Sequence, residues 1–152
     1  YILVNNQKPK WLNTDHPKIK LIELDDIYPN KEWLPVFNSH ALEFQLHRIP
    51  GLSENFLYSC DDMLFGQPCV KEDFFVFDPS GDPMKTKPRL SLTNYNVPYY
   101  LFSSPSKYRR AWNNLRLVLE KEFPRRRLSY ILRHQMMPMR KSFMEETALA
   151  YP

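Results

Sequence analysis

The hydrophobic pattern of the chain changes period several times, and each change predicts an element. Residues 1–4 form an unbroken apolar run, which predicts a short buried strand closed by the polar turn Asn5-Asn6-Gln7. Residues 9–13 read as a short helical or irregular connection. Residues 19–24 partly alternate and are rich in β-branched side chains, which predicts a second strand. Asp25-Asp26-Ile27-Tyr28-Pro29 then punctuates a loop. Over residues 38–49, Leu42, Leu46 and Ile49 recur at spacings of four and three, so a helix is expected, capped by Ser39 and stopped by Pro50-Gly51. Residues 56–60 make a compact strand that ends on Asp61-Asp62. Residues 73–77 give another apolar run before the turn-rich 78–83. The clearest helix covers residues 108–123, where Trp112, Leu115, Leu119 and Phe123 share one face and Pro124 ends it. A basic stretch at 125–133 leads to His134, and residues 142–149 predict a last helix. Strands mixed with helices favour a layered α/β domain.

Charge refines this picture. The net charge of +4 conceals an asymmetry: residues 1–104 carry 10 Lys/Arg against 13 Asp/Glu, while residues 105–141 carry 11 against 2. Such a basic block suits a phosphate-bearing partner, whether a nucleotide-sugar, a nucleic acid or an anionic membrane surface. A solvated helix face accounts for the charge alone equally well. The two cysteines, Cys60 and Cys69, have neither a CxxC spacing nor clustered His partners, so a zinc knuckle is not expected. One disulfide remains compatible with them. No apolar run reaches the roughly 20 residues of a spanning helix, and no signal peptide is visible.

Three groups of residues can carry chemistry. Adjacent carboxylates at the end of a buried strand, Asp61 and Asp62, sit where α/β sheets bind ligands, and their mutual repulsion favours a divalent cation or a raised pKa. Hard oxygen donors suit Mg²⁺ or Mn²⁺, and a solvated turn is the plain alternative. His40, Glu43 and His47 fall at i, i+3 and i+7, so a continuous helix would present them on one face, as metal ligands or, more ordinarily, as a polar pocket. Arg48 beside them can clamp a phosphate or pair with the acids. His134, followed by Arg140 and Lys141, can take a proton from a hydroxyl near neutral pH, with the cations stabilising phosphoryl charge. Met136, Met137, Met139 and Met144 read as packing residues.

The stretch Leu34-Pro35-Val36-Phe37-Asn38-Ser39-His40-Ala41-Leu42-Glu43, continued by Leu46-His47-Arg48-Ile49-Pro50-Gly51-Leu52-Ser53-Glu54-Asn55-Phe56-Leu57-Tyr58 and Asp61-Asp62-Met63, resembles the second conserved region of the Stealth family. Asn6-Gln7-Lys8-Pro9-Lys10-Trp11-Leu12 resembles the start of that region. His134, with Lys141-Ser142-Phe143-Met144-Glu145-Glu146, resembles the third. Cys60 stands where the family commonly has Asn, and Gln135-Met136 depart from the Pro that often follows the third-region His. The family's first region, a strand ending in a Trp-Val-Asp-Gly-like motif, and its fourth are not matched.

The resemblance implies a layered, Rossmann-like α/β nucleotide-sugar transferase fold. It also implies that residues 1–152 are one partial catalytic domain, a piece of something longer, with an acid-pair-bearing α/β portion at 1–77 and a basic helical portion at 105–152. The implied reaction moves hexose-1-phosphate, such as N-acetylglucosamine-1-phosphate, from a UDP-sugar to a carbohydrate hydroxyl in capsular, exopolysaccharide or glycan synthesis. Implied catalytic residues are His134, Asp61 and Asp62, with the two acids holding Mg²⁺ or Mn²⁺. Asn38, Ser39, His40 and Glu43 are candidates for lining the sugar pocket, and Arg48, Arg140 and Lys141 for contacting phosphate. The alternatives are a metal-dependent glycosyltransferase and a noncatalytic anion-binding module. No nucleic acid partner is expected, and the basic block is compatible with peripheral membrane association. A bacterial source would place the protein in the cytoplasm or at the cytoplasmic membrane face, and a eukaryotic one in the Golgi.

Overall fold

The computed structural model describes residues 1–4, 8–60, 62–94, 107–124, 130–132 and 135–151; for 92–94, 107–109, 112–113 and 130–132 only the backbone is described. The chain is mixed α/β and forms two compact units, one comprising Tyr1–Arg89 with Met137–Pro152 and the other Leu90–Met136. Residues 137–152, expected within the basic portion, thus belong to the same unit as the amino-terminal half.

In the first unit the apolar run at the start forms β1 (Ile2–Val4), which pairs in parallel with β2 (Leu21–Glu23), Leu3 opposite Ile22. The chain turns directly from β2 into α1 (Leu24–Ile27), where a loop was expected. Asp26 explains the turn, because its Oδ2 accepts the Glu23 N–H at 2.9 Å and caps the helix. Leu24 and Ile27, three residues apart, then point the same way and are buried.

The helix expected over 38–49 is broken into α2 (Ser39–Glu43) and a 3₁₀ turn, Leu46–Arg48. Asn38, not Ser39, caps α2, its Oδ1 accepting the His40 N–H at 3.0 Å. Leu46 and Ile49 are still buried and Leu42 packs beside them, so the apolar spacing served burial without a continuous helix.

β3 (Asn55–Tyr58) was expected from the sequence; its partner, β8 (Met137–Arg140), was not. They pair antiparallel, with Asn55 opposite Arg140 and Tyr58 opposite Met137. Pro138 is tolerated in this two-stranded ladder because one side of the strand needs no ladder N–H. A smaller antiparallel pair joins β4 (Phe75–Val76) to β5 (Lys87–Pro88). α4 (Lys141–Ala150) follows β8 without a loop.

The core gathers Ile22, Leu24, Ile27, Tyr28, Leu46 and Ile49, with Leu3, Leu42, Phe56, Tyr58 and Met144 packed against it. Each fully buried aliphatic side chain contributes about 1.5–3 kcal/mol. This cluster holds β1, β2, α2, β3 and α4 together.

The second unit pairs β6 (Leu92–Asn94) antiparallel with β7 (Tyr130–Leu132), Thr93 opposite Ile131. Between them in sequence runs α3 (Lys107–Glu122), within one residue of the expected 108–123. Among the described residues the strands pair two by two, in four separate ladders.

Candidate functional site

The end of β3 organises the site. Tyr58, its last residue, donates its hydroxyl to Glu43 Oε1 at 2.9 Å, and Glu43 Oε2 lies 3.4 Å from His40 Nδ1. A carboxylate on α2 therefore bridges an imidazole on its own helix and a phenol on the strand. Asn38, by capping α2, fixes the start of that helix, and Ser39 is its exposed first residue. Tyr28 adds a further tie, its hydroxyl donating to the Ala41 carbonyl at 3.0 Å, while burial pushes its pKa up.

His47 does not join His40 and Glu43. The helix break turns it inward, where its ring Nδ1 sits 2.9 Å from the Phe44 carbonyl and the side chain is buried. Burial, reinforced by the neighbouring Arg48 charge, lowers its pKa. A three-residue metal face on one helix is thus replaced by one exposed His–Glu pair and one buried His. Among the described residues no group of three His, Cys, Asp or Glu could hold a metal ion.

Asp62 lies in the turn after β3 and is exposed, a position and a donor type that fit a hard divalent cation. Asp61 and His134 lie outside the described residues. Cys60 is half-buried and Cys69 is exposed.

The three candidate cations each have a neighbour. Arg48 Nε donates to Gln45 Oε1 at 2.9 Å, and Lys141 Nζ lies 3.7 Å from Glu145 Oε1. Arg140 Nε donates to Glu54 Oε1 at 3.1 Å, and its guanidinium stacks 3.9 Å from the Phe143 ring centroid. Arg140 is opposite Asn55, three residues from Tyr58 along the ladder, which separates it by about 10 Å from the end that leads to Asp62.

Glu54 was not singled out by the sequence and proves to be a hub. Its Oε1 also accepts the Ser142 hydroxyl at 2.5 Å and the Ser142 N–H at 3.4 Å, and its carbonyl accepts the Lys141 N–H at 2.8 Å. α4 has no cap from its own Arg140, so a carboxylate from 88 residues earlier satisfies an open N–H of its first turn. No local spacing announces a contact of that range.

Residues 1–81 match the model of Stealth protein CR2, conserved region 2. A capsular polysaccharide phosphotransferase of Streptococcus thermophilus is 39% identical over 128 residues, covering 84% of this chain and 48% of that protein. An exopolysaccharide phosphotransferase of Streptomyces coelicolor is 36% identical over 160 residues, covering all of this chain and 25% of that protein. One from Mycobacterium tuberculosis is likewise 36% identical, with 27% of its length covered. The chain thus spans about half of these relatives' length or less. With more than half of its residues matched to the second conserved region, the chain belongs to the Stealth family.

Proposed function

We propose that this chain is part of a sugar-1-phosphate transferase of polysaccharide synthesis, which moves hexose-1-phosphate from a UDP-sugar to a glycan hydroxyl. Relatives named as capsular and exopolysaccharide phosphotransferases support the reaction class. The structural observation that carries the reading is the polar cluster at the end of β3, where Glu43 accepts from Tyr58 and faces His40 and the exposed Asp62 lies in the turn that follows. We further read the parallel β1–β2 pair as a portion of a layered, Rossmann-like nucleotide-binding sheet completed by the rest of the protein.

In this reading the acceptor hydroxyl attacks the sugar-linked phosphorus as His134 takes its proton. A new P–O bond forms, the bond to the nucleoside monophosphate breaks, and UMP leaves with the electron pair. Asp61 and Asp62 would hold Mg²⁺ or Mn²⁺, which when bound neutralises charge on the diphosphate. Asn38, Ser39, His40 and Glu43 line the sugar pocket, with Tyr58 holding Glu43 in place. Arg48, Arg140 and Lys141 act on phosphoryl charge, each held by a neighbouring acceptor at rest.

Asp62→Ala in the full-length protein tests this. Transfer should fall at least 100-fold with the unfolding transition unchanged, because Asp62 is exposed and leaves no cavity. Retained activity with an unaltered metal requirement overturns the assignment.

A further inference from the structure

The basic block at 105–141 was compatible with several anionic partners, and charge alone does not choose among them. α3 does. Ala111, Leu115, Leu119 and Phe123 recur every four residues and so track across one face, with Val118 beside them. Phe123 continues the face, since its N–H still donates to the Leu119 carbonyl at 2.8 Å. A core helix would bury this stripe. Instead Leu115 is 44% exposed, Val118 38% and Phe123 56%.

α3 carries Lys107, Arg109, Arg110, Arg116 and Lys121 against Glu120 and Glu122, and Arg125, Arg126 and Arg127 follow it in sequence. By the helical period Lys107 and Arg116 fall at the two borders of the apolar face, Arg116 pairing with Glu120 at 3.7 Å, and Glu122, four residues after Val118 and seven after Leu115, falls on the apolar face itself at its carboxyl end. We propose that α3 is an interfacial membrane-binding helix, lying in the plane of an anionic bilayer with Leu115, Val118 and Phe123 among the acyl chains and its Arg and Lys side chains at the headgroups.

Three physical points favour this occupant. At 1.5 Å per residue, the 16 residues of α3 span about 24 Å, longer than one nucleotide-sugar. Nucleic acid is gripped by cations and aromatic stacking, and gains little from an aliphatic stripe. An aliphatic stripe bordered by Arg and Lys is the pattern that partitions to an anionic interface, where long basic side chains reach back to the headgroups. The inference is independent of the proposed transfer reaction, and either can fail without the other.

The test is co-sedimentation of the full-length protein with vesicles of phosphatidylcholine containing a minority of phosphatidylglycerol, against pure phosphatidylcholine, at near-physiological salt. The wild type should prefer the anionic vesicles at least tenfold. Arg110→Gln with Lys121→Gln should weaken binding about 30-fold, from about 1 kcal/mol per surface charge. Leu115→Ser with Val118→Ser should weaken it on the order of tenfold through lost burial. Leu117→Ser, on the opposite side of α3, exposed at 52%, is the control and should change nothing. The proposal is overturned if the wild type shows no preference, or if Leu115→Ser with Val118→Ser binds like the wild type. The latter makes α3 a general anion strip, and equal affinity of that variant for an oligonucleotide identifies it as such. Light scattering that shows a dimer broken by the same variant also overturns it, because the stripe then covers a second copy.

Discussion

Replacing Glu54 with Ala perturbs the joint between β3 and α4 more than any surface change should. Its Oε1 takes hydrogen bonds from Arg140 Nε at 3.1 Å and from the Ser142 hydroxyl at 2.5 Å. An exposed ion pair is worth at most about 1 kcal/mol, whereas breaking a buried one costs about 3–5. Here the Arg140 and Glu54 side chains keep only 12% and 20% of their exposure, so the pair sits near the buried limit. Water at the remaining surface and the Phe143 ring absorb part of the orphaned Arg140 charge, which brings the pair to about 2 kcal/mol. Loss of the cap on α4 adds about 1 kcal/mol. Glu54→Ala should therefore destabilise by about 3 kcal/mol, and Glu54→Gln, which keeps an acceptor, by about half that. Urea unfolding of wild type, Glu54→Ala, Arg140→Ala and the double variant reads this directly. The double variant should lose at least about 1 kcal/mol less than the sum of the singles, since no lone charge remains. A Glu54→Ala cost below about 0.5 kcal/mol, or strict additivity, would refute the reasoning.

Further outcomes follow from single contacts. Burial lowers the His47 pKa below its unfolded value near 6.5, with Arg48 and Lys141 opposing its charge and Glu145 favouring it. Its contribution to stability is thus complete above about pH 6.5 and is lost as pH falls through the depressed folded value, so His47→Gln should flatten the urea midpoint's decline between pH 7.5 and 5. An unchanged slope contradicts the burial argument. Tyr58→Phe removes the donor to Glu43 and should cost about 1 kcal/mol, while raising KM for the donor sugar more than it lowers kcat. Asn38→Ala should cost about 1 kcal/mol by uncapping α2, and Asn38→Asp close to nothing, as thermal unfolding would report.

Legibility followed the range of the interactions. α3 and the strand at residues 1–4 were readable because their signals are local, one period of apolar residues each. The helix over 38–49 was misread because burial of Leu46 and Ile49 is served equally by a 3₁₀ turn. The break is fixed by contacts no spacing carries, with His47 on the Phe44 carbonyl and Glu43 on Tyr58. β8 was invisible as a strand, since Met137-Pro138-Met139-Arg140 lacks β-branched residues and is held by β3, about 80 residues earlier. Among the candidate site residues, the motif pointed to His40 and Glu43, and the structure pairs them directly, with Tyr58 on the other oxygen of Glu43. It also pointed to Arg140 without its partner, because Glu54 lies 86 residues away.

The central claim is the transfer of a sugar together with its phosphate, and the leaving nucleotide reports it. Full-length protein incubated with UDP-sugars, Mg²⁺ and a glycan acceptor should release UMP, and Asp62→Ala should release at least 100-fold less. Release of UDP, or UMP formation undiminished in Asp62→Ala, would contradict the account.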